Sequence, residues 1–330
     1  MTVQLLDYAC DHSSFRINIP QHQVIRNDVI DNISYHLKSK QNFIFISGET
    51  GIGKTVLLHQ FIENTDKGKV IKLLLNPHSS FSKDINNIKM DLCNQLSWLL
   101  LSQSPDQKNL DKENYYSSLI QILSHKANRN NFIFVVDGLN NKEMEAYREE
   151  ILDLLPLHIP EITFIFSNND EKISPFYKKL LNDTSVKHLN YIVPIFTKSE
   201  ISELLGDENE SKINLVSKTF SPIPRVLQMI KELIKNGRTI SNILEAYDDY
   251  SGDLFEMQWE LNIANIEKVK YEISLISSSP FRIDIDTLEK YSEFKKEELL
   301  KKLNSISFIE INNEKATISS DGFKQFIKSK

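Results

Sequence analysis

Residues 48–55 read Gly-Glu-Thr-Gly-Ile-Gly-Lys-Thr, a G-x-x-x-x-G-K-T string whose residue types suit the grip of a polyphosphate. Gly48, Gly51 and Gly53 permit a tight turn that aims successive backbone N–H groups at one anion. Lys54 supplies a point charge for the β- and γ-phosphates, and Thr55 offers a hydroxyl to Mg²⁺. A helix starting here adds the positive end of its dipole. Mg²⁺ needs a second anchor, an acid at the end of a neighbouring strand. Asp137 fits, because the apolar run Phe132–Val136 precedes it and Gly138 turns the chain after it.

Hydrolysis also needs a group that orients or deprotonates water. Many P-loop ATPases place a Glu directly after the strand-end Asp. Here Gly138-Leu139-Asn140-Asn141 follow, and no carboxylate comes before Glu143. A side-chain amide takes no proton near neutral pH, so neither Asn is a general base. The expected chemistry is a slow or latch-type ATPase, or hydrolysis through Glu143, Glu145 or another residue. Asn168, at the end of the run Ile162–Phe166 plus Ser167, is a polar group for the γ-phosphate or the attacking water, or an ordinary strand-end turn residue. Arg225 follows Pro224 at the start of a helix, where a cation opposes the dipole. It reads either as a reach toward the phosphates or as a solvated side chain. Thr197-Lys198-Ser199-Glu200 resembles a guanine-reading N/T-K-x-D string but ends in Glu, and helix capping explains it more simply. Asn140 also stands where a GTPase D-x-x-G would have Gly, which favours ATP over GTP.

These residues must be positioned by elements that the apolar pattern exposes. Phe43–Ile46, Val70–Leu75, Phe132–Val136 and Ile162–Phe166 are short apolar β-rich runs, as strands buried on both faces require. Tyr191–Phe196 is read as a fifth strand. Helical stripes lie between them, at 24–37, 56–62, 85–101, 115–123, 142–155 and 175–181. Alternating strands and helices predict an α/β fold, a P-loop parallel sheet with helices on both faces. From Thr197 to about Leu261 every segment reads helical, a lid-like domain. From about residue 263 two or three helices precede Phe308–Ile311, the turn pair Asn312-Asn313 and Ala316–Ile318, the pattern of a winged helix closed by a helix at 322–327. The expected domains are a lead-in over 1–40, an α/β core over 41–196, a helical lid over 197–262 and a winged helix over 263–330.

Composition narrows the class. The 330 residues are 40% hydrophobic and 25% charged, ordinary for a globular protein. A net charge of −6 and a pI near 5.8 give no global field for nucleic acid or an acidic membrane. The two cysteines, Cys10 and Cys93, form no C-x-x-C or Cys/His cluster, which fits a reducing cytoplasm. No apolar run approaches a membrane span, and the first twenty residues lack a signal-peptide pattern.

With GETGIGKT, the DGLNN string at 137–141, the polar end of the fourth strand, Pro222-x-Pro224-Arg225 and the winged helix in place, the chain resembles the STAND-class P-loop NTPases. These are the AAA+-related signalling ATPases of the NACHT and apoptosis or disease-resistance type. NACHT-like members often read D-G-x-D-E, where Asn140 and Asn141 stand here. Family members often end the fourth strand in Thr/Ser-Arg, whereas Asn168-Asn169 is closer to an AAA+ sensor Asn. Pro222 replaces the Gly of the family's G-x-P motif.

The resemblance implies an ATP/ADP and Mg²⁺ site. Its cradle is Gly48, Glu49, Thr50, Gly51, Ile52, Gly53, Lys54, Thr55 and Val56, joined by Arg26 from the lead-in and by Pro224 and Arg225 from the lid. Thr55 and Asp137 would hold the metal, and Lys54, Asp137 and Asn168 would act in catalysis. It also implies a nucleotide-gated switch that self-oligomerises and works with an effector or sensor on a partner chain. Antiviral defence in prokaryotes is implied by analogy. The competing expectation is a DNA-acting AAA+ ATPase of the origin-recognition or transposition-regulator kind. Charge opposes it, because residues 281–330 carry ten Lys/Arg against nine Asp/Glu.

Overall fold

The computed structural model describes residues 23–39, 41–66, 69–76, 81–103, 105, 114–181, 186–206, 209–220, 222–249, 254–279, 282–312, 314–318 and 321–329. The lead-in before residue 23, the linker residues 106–113, Ser221 and Asn313 lie outside them. The described residues fall in two compact units, 25–194 and, with residues 23–24, 195–329.

The first unit is built on five parallel strands, β1 (Phe43–Ser47), β2 (Val70–Leu74), β3 (Ile133–Asp137), β4 (Thr163–Asn168) and β5 (His188–Ile192), in the order β2-β3-β4-β1-β5. Side chains alternate along each strand, so one run of residues serves two cores. Phe43, Phe45, Phe134, Val136, Phe164 and Phe166 point to one face. There they meet α3 (Ile85–Leu101), α4 (Tyr115–Ala127) and α5 (Arg148–Leu154) through Leu92, Leu96, Leu119, Leu123 and Ile151. Ile44, Ile46, Ile133, Val135 and Ile165 point to the other face. They pack on α1 (Asn27–Lys38) and α2 (Lys54–Asn64) through Ile30, Ile33, Leu57, Leu58 and Phe61. The α/β sheet with helices on both faces is therefore as expected.

The edge strand β2 is tied to α3 by Gln95. Lys72 N donates to Gln95 Oε1 at 2.8 Å and Gln95 Nε2 donates to Lys72 O at 2.7 Å, as a further strand would. Three elements differ in extent or kind from the expected ones. β5 runs over His188–Ile192 rather than 191–196, because Pro194 has no N–H to offer a ladder and the half-exposed edge strand is not uniformly apolar. The helix expected over 142–155 is a 3-10 turn, Lys142–Tyr147, followed by α5. The segment 175–181 is likewise a single α-helical turn, α6 (Pro175–Lys178), running into a 3-10 turn, Lys179–Leu181.

The second unit has two cores. The helices α7 (Lys198–Leu205), α8 (Glu210–Thr219), α9 (Pro224–Lys235) and α10 (Ile240–Asp249) enclose Phe196, Ile201, Val216, Leu227 and Ile230. Thr197 and Glu200 form a complete capping box at the start of α7, the simpler of the two readings of that string. The helix α11 (Leu254–Glu260) serves both cores. Met257 faces the helical core, while Phe255 and Trp259, four residues apart and so on one face, join the last core.

That last core gathers Ile273, Leu288, Leu299, Phe308 and Phe323. It lies among α12 (Ile263–Ile266), α13 (Lys270–Ser278), α14 (Ile285–Tyr291), α15 (Lys296–Asn304) and α16 (Asp321–Ser329). Beside them is an antiparallel sheet ordered β6 (Ile283–Asp284), β8 (Lys315–Ile318), β7 (Ile309–Asn312). Sequence periodicity could not announce β6, which is two residues long. Among the described residues no helix is long and apolar enough to cross a membrane.

Candidate functional site

The fully buried strand β1 carries the chain into the glycine-rich loop, and Gly48 N donates to Asn168 O at 3.2 Å where β4 ends. Gly53 caps α2 with φ 92°, a left-handed conformation that turns the loop into the helix. Lys54, only 7% exposed, folds back over the loop. Its Nζ donates to Gly48 O at 2.7 Å and to Glu49 O at 3.0 Å. Burial lowers its pKa to about 8, partly opposed by the charges of Asp137, Asp170 and Glu49. Ile52 is buried in the core beneath the loop, Glu49 and Thr50 are exposed, and Val56 is half-buried.

Thr55 Oγ1 donates to Asp137 Oδ2 at 2.6 Å, joining residues 82 apart in sequence. Asp137 is 5% exposed at the end of β3. A hydroxyl and a carboxylate brought together beside a buried lysine are oxygen donors of the kind Mg²⁺ prefers. Among the described residues no larger group of His, Cys, Asp or Glu is arranged to hold a metal. The loop, the lysine and this pair thus fit a nucleotide phosphate chain with Mg²⁺. They would bind it through backbone N–H groups, one cation and two oxygen donors.

Behind Asp137 the chain turns at Gly138, φ 83°, where an added Cβ would stand 2.2 Å from Leu75 O. The next residues are held from several directions. Arg148 Nε donates to Leu139 O at 3.0 Å and its Nη2 to Asn141 O at 2.8 Å, with the guanidinium over Phe176. Asn141 Nδ2 returns to Gly138 O at 3.0 Å. Asn140 Nδ2 donates to Asn168 Oδ1 at 3.0 Å, and Asn169 Nδ2 donates to Asn140 O and Asn141 Oδ1, both at 3.2 Å.

Asn168 is fully buried and donates from Nδ2 to Ser47 Oγ at 2.9 Å, Asp170 O at 2.6 Å and Lys172 O at 3.0 Å. Ser47 Oγ in turn donates to Asn190 Oδ1 in a short bond. One chain of side-chain hydrogen bonds therefore crosses the sheet edge from the loop after β3, through β4 and β1, to β5. Sequence reasoning missed Ser47 and Asn190. The signal was a lone polar residue at the end of β1 and another inside β5.

Arg26 donates from Nη1 to Pro194 O at 3.0 Å, and its backbone N donates to Gln60 Oε1 at 3.3 Å, so it ties the residues before α1 to α2 and to the end of β5. Pro224 and Arg225 belong to the second unit, where Pro224 takes the first turn of α9. The Arg225 guanidinium lies 4.9 Å above the Phe255 ring, a cation–π contact within that unit. Glu143 and Glu145 are exposed on the 3-10 turn, on either side of buried Met144.

Residues 37–190 match the family model described as an AAA domain. The chain has no match among curated protein sequences. Among solved structures it is similar to a STAND protein with a tetratricopeptide repeat sensor from Pyrococcus horikoshii (TM-score 0.54, 16% identity), covering 94% of this chain and 43% of that one. It thus spans less than half of that protein's length. A Walker-type ATPase of Pyrococcus abyssi aligns over 96% of this chain and 99% of its own, with TM-score 0.47 and 13% identity. The ORC1 protein of Aeropyrum pernix, in complex with DNA, aligns over 98% and 95%, with TM-score 0.40 and 11% identity.

Proposed function

We propose that this chain, whose residues 37–190 are an AAA-type P-loop domain, is an ATP/ADP-binding switch of the STAND kind with slow or conditional hydrolysis. One observation carries the reading. The lysine and the Thr55–Asp137 pair are assembled for gripping nucleotide, while Asn140 and Asn141, where related proteins often carry acids, are amides held in hydrogen bonds. A firm grip with little means of activating water suits a latch better than an engine.

In this reading residues 48–56 cradle the phosphates, and Thr55 and Asp137 hold Mg²⁺. When bound, the ion neutralises phosphate charge. Asn168 shapes the γ-phosphate end of the site. Arg26 contributes from the lead-in, and Pro224 and Arg225 contribute from a helical lid over 197–262. Residues 263–330 act as a winged helix. Exchange of ADP for ATP permits self-association in the cytoplasm, and a sensor or effector acts from a partner chain. The tetratricopeptide repeat sensor of the Pyrococcus horikoshii protein illustrates such a sensor. A part in prokaryotic antiviral defence rests on analogy alone.

The test is mass in solution. Light scattering is expected to give a small species with ADP and Mg²⁺ and a larger assembly with a non-hydrolysable ATP analogue. A mass independent of nucleotide state sinks the switch.

The DNA-acting alternative meets an electrostatic obstacle. Lys296 lies 2.8 Å from Asp286 and 2.7 Å from Glu314, and hydrogen bonds to these carboxylates raise its pKa. Lys302 pairs with Glu298 at 3.4 Å and lies over Phe294, and Lys315 stands 3.6 Å from Asp284. Three of the ten Lys and Arg of residues 281–330 are thus paired with carboxylates that a phosphate would have to displace. Salt-sensitive duplex binding by the full chain at roughly 0.15 M salt would favour the alternative instead.

Lys54 supplies a second prediction. Phosphates beside the ammonium raise its pKa, so above about 8 binding must take up a proton. ADP affinity is expected to stay flat below about pH 8 and to fall roughly tenfold per pH unit above it, until the bound-state pKa is passed. Calorimetric titrations from about pH 6.5 to 9.5 check this, and a flat profile throughout would refute it.

A further inference from the structure

We propose that Ser47 and Asn190 are positioning residues of the phosphate cradle, which set its first residue, Gly48, through a row of hydrogen-bonded side chains. The proposal rests on the nucleotide-binding reading above.

On one face of the sheet the carboxyl ends of β1 and β4 change character in a single step. Phe45 stands beside Phe166, and two residues further on Ser47 stands beside Asn168. Both polar residues are wholly buried. Asn190, on the same face of β5, extends the row. Polar groups withdrawn from water destabilise a fold unless they are bonded, and here the bonds are made.

Main-chain carbonyls fix the sense of these bonds, because a carbonyl only accepts. Asn190 Nδ2 donates to Glu171 O at 2.8 Å, so its Oδ1 faces Ser47 and the Ser47 hydroxyl donates to it. Asn168 Nδ2 donates to Asp170 O at 2.6 Å and to Lys172 O at 3.0 Å, and the same nitrogen donates to Ser47 Oγ at 2.9 Å. Asn168 Oδ1 is left to accept from Asn140 Nδ2 at 3.0 Å. Ser47 thus donates toward β5 and accepts from β4.

Ser47 is the last residue before the cradle, and the main chain is held in the same two directions. Ser47 O accepts from Val193 N at 2.8 Å, and the next N–H, that of Gly48, donates to Asn168 O at 3.2 Å. Gly48 O accepts from Lys54 Nζ at 2.7 Å. Ties from both neighbouring strands therefore converge where the cradle begins. Through Asn140 the same row reaches the turn after Asp137, so it holds both flanks of the site. A loop fixed before its ligand arrives loses less freedom on binding, and the grip is stronger for it. Such a preset grip, with no added base, suits a latch.

The test measures ADP and AMP affinity and thermal midpoints for the full chain carrying Ser47→Ala, Asn190→Leu or both. Ser47→Ala still leaves the Asn168 amide two carbonyl acceptors, so it orphans no donor there. AMP lacks the β-phosphate that the loop and Lys54 would grip. Each single variant is expected to lower ADP affinity about tenfold and AMP affinity by less than about threefold. Because Asn190 acts through Ser47, the double variant should lose no more than the worse single one. Equal losses for ADP and AMP, tracking the thermal midpoint, would reduce the row to a structural part and overturn the proposal. So would ADP affinity within about threefold of wild type in both single variants, or losses that multiply in the double variant. Should Ser47→Ala fail to fold, the ADP-to-AMP ratio of Asn190→Leu decides alone, since Asn190 is half-buried on an edge strand. These failures leave the nucleotide-binding reading standing. A wild-type chain that binds no ADP removes both.

Discussion

Lys54→Ala is expected to weaken ADP and ATP binding by about 100-fold or more, since a charge-assisted hydrogen bond contributes about 1.5–3 kcal/mol and the lysine would make more than one. The same change should leave the fold nearly untouched. Burial lowers the Lys54 pKa, which means that the folded chain disfavours its ammonium, and removing it relieves that cost. The two effects therefore separate cleanly. Titration with a fluorescent ADP should show the loss, while the thermal midpoint stays within about 2 °C of wild type. Affinity within about threefold of wild type would exclude Lys54 from the phosphate site.

Gly138→Ala should do the reverse and damage the fold first. Its φ of 83° strains any residue with a side chain, at about 1–3 kcal/mol. Steric collision costs more than this strain. The new Cβ would meet Leu75 O at 2.2 Å, and backbone cannot swing aside as a side chain does. Leu75 N also donates to Asp137 O at 2.9 Å, so relief of the clash would pull β2 and β3 apart at the site. The expected loss is about 4 kcal/mol or more, a fall of roughly 10 °C in Tm. Gly206→Ala and Gly237→Ala provide the comparison. Both glycines have positive φ, but an added Cβ meets nothing within 4 Å, so each should cost only about 1 kcal/mol. Thermal melts of the three variants decide the matter. Equal losses would mean that Gly138 matters only for its dihedral.

The sequence alone determined the features whose chemistry is contiguous. Eight adjacent residues, Gly48–Thr55, encode the cradle because backbone turn, cation and hydroxyl all follow one another in the chain. Apolar runs such as Phe132–Val136 encode buried parallel strands, and Thr197 with Glu200 encodes a cap, because each depends only on near neighbours. Asp137 was legible because its strand-end setting is local, and the fold then placed it on Thr55.

Tertiary structure decided what the amides and cations do. An Asn can pair with backbone, water or another amide, and its sequence position does not choose among them. Only the insertion of β4 between β1 and β3 makes Asn168 a clamp between Asn140, Ser47 and the loop carrying Asp170. Arg225 stands at a helix start, and the Phe255 ring beneath its guanidinium is thirty positions away, on a helix that divides its faces between two cores. The limits of β5 belong with these, since an edge strand takes its register from β1 and its end from Pro194 rather than from apolar content. Local covalent geometry and near-neighbour polarity fix the elements and the cradle, while long-range hydrogen bonds settle which polar side chains are left to do chemistry.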